Sequence, residues 1–283
     1  RRQRQMCIRD RGKKLLLSTN NDYAYRVALD WLDAGQQVVA VADARSNPRG
    51  ALVEEARAKG IRILTASAVI EARGSKRVTG ARVAAIDLKT HSVTSPGEWL
   101  VCDLVATSGG YSPVVHLASH LGGKPIWRED ILGFVPGEAP QKRVCVGGIN
   151  GVYGLGDSLA DGFEGGVRAA SEAGFKAVEG VLPKALNQVQ EATVALFQVP
   201  HEKATARAPK QFVDLQNDVT AAAIELATRE GFESVEHVKR YTALGFGTDQ
   251  GKLGNVNGLA IAARSLNVTI PQMGTTMFRP NYT

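Results

Sequence analysis

The 283-residue chain has little cysteine: Cys7, Cys102 and Cys145 stand at spacings that match no metal or redox motif. A disulfide framework does not fit three scattered thiols, and a reducing, cytoplasmic setting is expected. Long apolar runs are missing too. The strongest, around Val38–Ala42, falls far short of the roughly 20 residues that cross a bilayer, so no membrane partner is expected. Charge of one sign is not spread over the chain. Residues 1–14 carry seven basic residues and one acid, which accounts for the whole net charge of +6 and leaves 27 of each sign elsewhere. A nucleic-acid surface needs Lys and Arg clustered on a folded face, so no nucleic-acid partner is expected either. Residues 1–12 have no helical or strand period and read as a non-native or disordered tail. His116 and His120, four apart, share one helix face but have no acidic ligand beside them in sequence. No metal site is expected.

What remains is ordinary for a globular chain: 44% apolar and 22% charged residues, at a length that suits two domains. Lys14–Ser18 reads as a strand. Ala24, Val27, Ala28, Trp31 and Leu32 then follow helical spacing up to Gly35, and Val38–Ala42 is a second strand closed by Asp43. This is a Rossmann-type βαβ unit without its glycine turn. Ser18–Tyr23 carries Asn20, Asn21 and Asp22 where glycines would let backbone approach a pyrophosphate. Asp43 occupies the place of a ribose-binding acid and reads as either architectural or ligand-binding. A helix over Leu52–Lys59 and a strand over Ile61–Leu64 follow. Val69–Ala72, Ala81–Leu88 and Trp99–Ala106 then alternate like an antiparallel meander.

Leu104–Gly110 reads as a strand entering a small-residue turn. Val144–Gly148 reads as a strand, and Val152–Asp157 as a strand edge ending in Gly156-Asp157. A helix from about Ala160 to Val181 comes next. An acid after a glycine at a helix start suits either a cofactor hydroxyl or a plain N-cap. Residues 182–210, with three prolines, read as a linker with a helix over Ala185–Phe197. Helices capped by Thr220 and Ser234, and a third through Val256–Leu266, complete the chain. The expected fold is α/β: a Rossmann-type βαβ domain with an antiparallel meander over 13–103, and the returning half of a second Rossmann-like domain over 104–181. A small all-α domain over 211–283 follows.

The Ala106–Gly110 turn, with Gly156-Asp157 further on, resembles the returning half of a flavoprotein built from two dinucleotide-binding domains. By that resemblance Thr107, Gly109, Gly110, Gly156 and Asp157 contact a dinucleotide, and Lys13–Asp103 is an inserted second domain. Phe212–Gly251 resembles a bacterioferritin-associated-ferredoxin-like [2Fe-2S] module. In that register the four ligand positions fall on Asp214, Gln216, Asp249 and Gly254. None is cysteine, and such a cluster needs thiolates, so no iron–sulfur cluster is expected.

Gln211–Asp218, Glu230–Tyr241, Thr248–Lys252, Asn255–Gly258 and Gly274–Pro280 together closely resemble the α-subunit family of heterotetrameric sarcosine oxidases. The resemblance implies oxidative demethylation of sarcosine to glycine, with H2O2 and methylenetetrahydrofolate as products. It implies NAD in the complete α subunit, FMN at the α–β interface, and FAD and tetrahydrofolate elsewhere in the complex. The partners would be β, γ and δ subunits. The chain would be a central fragment of the α subunit, with no catalytic residue of its own. Lys252, Asn255, Asn257, Thr275, Thr276 and Arg279 supply donors suited to the FMN phosphate, or serve only as caps and surface hydrogen bonds. Two alternatives stay open: a subunit of a related amino-acid or opine dehydrogenase complex, and a non-catalytic scaffold for flavin subunits.

Overall fold

The computed structural model describes residues 12–120, 122–176, 180–182, 184–185 and 193–282. The tail expected over 1–12 lies outside them except for Gly12, as does most of the helix expected over Ala185–Phe197. The described residues fall into two compact units, one within 12–110 and 193–209, the other within 111–185 and 210–282.

The first unit begins with β1 (Lys14–Thr19), α1 (Tyr23–Asp33), β2 (Gln37–Asp43), α2 (Ala51–Ala58) and β3 (Ile63–Leu64). Four strands follow: β4 (Ser67–Gly74), β5 (Val78–Asp87), β6 (Ser92–Val93) and β7 (Glu98–Leu100). The last strand of the unit is β8 (Leu104–Ser108). A parallel sheet runs β3-β2-β1-β8. Strand alternation explains why β1 is apolar throughout. Leu15 and Leu17 face one core with Ala24, Tyr25, Ala28 and Leu29 of α1, while Leu16 faces Ala81, Val83 and Leu100 of the antiparallel meander.

The single strand expected over Trp99–Ala106 is two strands in different sheets. β7 pairs with β5, and β8 pairs with β1. Asp103 marks the crossing, where its carboxylate accepts from the backbone N–H of Lys13 (2.9 Å) and Lys14 (2.6 Å). Leu104–Gly110 therefore completes the first unit's sheet rather than opening the next segment. Residues 193–209, read as linker, also pack here. Val194, Leu196 and Val199 lie against Ala44, Ala68 and Ile86.

The second unit contains α3 (His116–Ser119), the hairpin β9 (Ile126–Arg128) with β10 (Gly133–Val135), a 3-10 turn over Gly147–Asn150, and α4 (Leu155–Glu172). The strands expected at Val144–Gly148 and Val152–Asp157 do not form. Their backbone groups bond to side chains of α4 instead of a neighbouring strand. Gly147 N–H donates to Asp161 Oδ2 (2.6 Å), and Val152 C=O accepts from Ser158 Oγ (3.0 Å). The helix accordingly starts at Leu155 rather than near Ala160, which puts Gly156 and Asp157 in its first turn.

The remainder holds β11 (Phe212–Asp214), β12 (Val219–Thr220), α5 (Ala221–Arg229), α6 (Val235–Thr242), α7 (Asn255–Ser265) and α8 (Ile270–Met273). The short β11–β12 hairpin and α8 add to the expected three helices. Thr220 caps α5, its Oγ1 accepting from Ala223 N–H at 3.2 Å. Val213, Val219, Ile224, Val238, Leu244 and Ile261 form the core of this part. Among the described residues no helix is long and apolar enough to cross a membrane.

Candidate cofactor-binding site

In the second unit the hairpin β9–β10 and the segment after α8 border an open cleft of about 700 Å³. Trp127, Ile126, Phe134 and Met277 give it apolar walls, and Lys124 is the one charged residue among its described lining. That volume and character suit a drug-sized, flat ligand. Trp127 is held edge-on to Phe134, with ring centroids 5.1 Å apart, and its indole N–H donates to Glu129 Oε2 at 2.6 Å.

Thr275 and Thr276 line this cavity and also a second, water-sized one of about 20 Å³ bordered by Lys239 and Asn255. Lys239 Nζ donates to Thr276 Oγ1 at 3.0 Å. A hydroxyl that accepts from an ammonium group keeps its own proton free to donate elsewhere. Burial lowers the Lys239 pKa; the Glu236 carboxylate opposes this and the Arg279 charge adds to it. Asn255 Oδ1 is buried without a donor among the described residues. The Thr276 hydroxyl backed by a desolvated cation, an amide oxygen able to accept from a hydroxyl, and apolar walls are groups that fit FMN: an anionic end, a hydroxylated chain and a flat ring.

Of the six residues expected at the FMN phosphate, the structure brings Asn255, Thr275 and Thr276 together. Lys252 turns to its own chain, its Nζ donating to the Arg279 carbonyl. Burial lowers its pKa against the pull of Asp249. Arg279 is exposed, and Asn257 lies in the first turn of α7. Sequence reasoning missed Lys239, Lys124 and Trp127. Lys239 had a signal: it follows Val235 by four, which puts it on the face of α6 that borders the small cavity.

The positions aligned with cluster ligands are engaged by backbone. Asp214 Oδ1 accepts from the N–H of Gln216 (2.8 Å) and Asn217 (3.0 Å), and Oδ2 from Gly245 N–H (2.9 Å). Burial raises its pKa, but these donors outweigh it and hold the carboxyl below its usual range. Gln216 Oε1 accepts from Thr248 Oγ1 at 3.0 Å. Asp249 accepts from Gly251 and Leu253 N–H, each at 3.1 Å. At Gly254 an added Cβ would meet the Val213 carbonyl oxygen at 2.5 Å, so no side chain fits. Among the described residues no group of three or more His, Cys, Asp or Glu is placed to hold a metal ion.

Of the residues expected at a dinucleotide, Thr107, Gly109 and Gly110 belong to the first unit, and Gly156 and Asp157 to the second. Asp157 is an acid in the first turn of α4.

Residues 208–283 match the family model described as the sarcosine oxidase A3 domain. The chain is 35% identical over 96% of its length to a sarcosine oxidase subunit alpha of Corynebacterium sp. (strain P-1), covering 28% of that protein. It is 34% identical over 96% of its length to that of Rhizobium meliloti (strain 1021), covering 26%. The chain thus spans about a quarter of the length of these curated relatives. Among solved structures it resembles the L-proline dehydrogenase from P. horikoshii, with a TM-score of 0.58 and 15% identity over 95% of this chain and 48% of that one. That likeness concerns the fold.

Proposed function

Taking as premise that this chain is related over nearly its whole length to sarcosine oxidase α subunits, we propose that it serves a sarcosine oxidase-type flavin oxidoreductase complex. In this reading its second unit holds the FMN phosphate and helps form the α–β interface. The amine-oxidation site lies on a partner subunit, and no residue of this chain is catalytic. FMN, when bound, supplies electron transfer. The chain's own residues bind and orient it. Thr276 donates its hydroxyl hydrogen bond to the phosphate, Lys239 fixes Thr276 from behind, Thr275 borders the same site, and Lys124, Lys252 and Arg279 add positive potential. Gly156 and Asp157 contribute to an NAD site of the complete subunit, Asp157 accepting from a ribose hydroxyl.

The observation that carries the reading is Thr276, which lines the apolar cleft while its hydroxyl accepts from Lys239 behind it. Its test is the FMN content of the assembled complex, measured by absorbance after denaturation. Lys239→Met and Thr276→Val should each lower FMN occupancy severalfold while FAD content stays at its wild-type level. Unchanged FMN in both variants would refute the assignment.

A further inference from the structure

The carboxyl end of the parallel sheet in the first unit carries a buried polar cluster that plays no part in the proposal above. In doubly wound sheets ligands settle at this end. The first βα turn faces the phosphates, and the acid closing the second strand accepts ribose hydroxyls. Here those positions are engaged from within. Asp43, fully buried, accepts four hydrogen bonds: Oδ1 from Arg45 N–H (2.9 Å) and Nε (3.0 Å), Oδ2 from Arg45 Nη2 (2.8 Å) and the Tyr25 hydroxyl (2.8 Å). A carboxylate offers about four lone-pair sites, so none is left for a ribose. Arg45 Nη1 also reaches Asp22 Oδ1 at 2.7 Å, and both side chains are buried.

Burial works against the Arg45 charge, yet the two carboxylates keep it firmly protonated. The first βα turn is covered as well. Asn20 Nδ2 donates to the Val194 carbonyl (2.7 Å), and Val194 N–H donates back to the Asn20 carbonyl (3.2 Å). Asn21 Nδ2 donates to the Ser108 carbonyl at 3.0 Å.

We infer that this is a self-occupied dinucleotide site. Arg45 consumes the acceptors a ribose would use, and the strap around Val194 lies over the turn a pyrophosphate would approach. This sheet end therefore binds no dinucleotide, and the Asp22–Arg45–Asp43–Tyr25 knot holds it in place of a ligand.

Peptide-resolved hydrogen exchange of the full chain, with and without millimolar NAD, ADP or FAD, tests the first half. Binding in the second unit cannot mimic the result. Residues 18–22 and 43–46 should exchange at the same rate in all samples, and nucleotide-dependent slowing there would overturn the inference. Thermal melting tests the second half. Arg45→Ala strands two buried carboxylates and should lower Tm by roughly 10 °C, or prevent folding. The milder Tyr25→Phe removes one donor to Asp43 and should lower Tm by roughly 2–4 °C. A Tyr25→Phe protein that melts with the wild type would show that the knot does not hold this end.

Discussion

Asp214 should be the staple of the A3-like module, and its removal should loosen the module measurably. The residue is 6% exposed, and its two oxygens accept from three backbone N–H groups on two separate segments. Asp214→Ala orphans all three. Those of Gln216 and Asn217 are partly reachable by water, while the bond to Gly245 is buried. Hydrogen bonds to a charged group contribute about 1.5–3 kcal/mol each but do not add in full, so a loss of about 3 kcal/mol is expected. Asp214→Asn keeps Oδ1 but turns an amide N–H toward Gly245, at a cost of about 2 kcal/mol.

Hydrogen exchange of α5 and α7 amides reads this directly, since about 3 kcal/mol corresponds to roughly 100-fold faster exchange through opening of the module. The pH dependence has a definite sign. A carboxyl whose folded pKa lies below the ordinary 3.8 stabilises fully above that value and loses its contribution as pH falls through the lower folded pKa. The gap between wild type and Asp214→Ala should be constant near neutrality and close only below about pH 4. An alanine variant within about 0.5 kcal/mol of wild type would refute the staple.

Two further outcomes follow from the same unit. Gly254→Ala should destabilise by about 1–3 kcal/mol in urea titrations. Its φ of −103° suits any residue, so the whole effect is the 2.5 Å encounter with the Val213 carbonyl; a neutral result would mean that the loop before α7 yields freely. Inorganic phosphate binding to the chain should weaken with rising pH, with a midpoint below the ordinary lysine value of 10.5, because burial favours the neutral form of Lys239. In Lys239→Arg that alkaline limb should be absent, and its persistence would assign the titration to another group.

The βαβ unit was legible in the sequence because apolar spacing reports a buried face directly. Leu15–Leu17, Ala24–Leu32 and Val38–Ala42 are found as two strands and a helix. The same logic failed at Trp99–Ala106, where one alternating run serves two sheets. Periodicity registers burial but not the partner strand, and Asp103 gave no warning of the crossing. At Val144–Gly148 an apolar run forms no strand, and Gly147 N–H bonds instead to Asp161 of α4, a contact that spacing does not report. At the candidate site, Thr275 and Thr276 were visible as donors beside small residues. Trp127 was not, because cavities are made by segments far apart in sequence, and for Lys239 only the i+4 spacing from Val235 pointed to the shared face. Arg45 was hidden for a similar reason: its partners Asp22 and Asp43 were both noted, but only the fold brings the guanidinium between them.

As proposed, the second unit recognises a phosphate attached to a flat ring system. The affinity of the chain for FMN against riboflavin, measured by flavin fluorescence quenching, tests it most directly, because the two ligands differ only in the phosphate. Charge-assisted hydrogen bonds from Thr276 and its cationic surroundings should favour FMN by roughly tenfold to a hundredfold. Lys239→Met should erase most of that preference while leaving riboflavin binding as it was. Equal affinity of the wild-type chain for both flavins would contradict the claim.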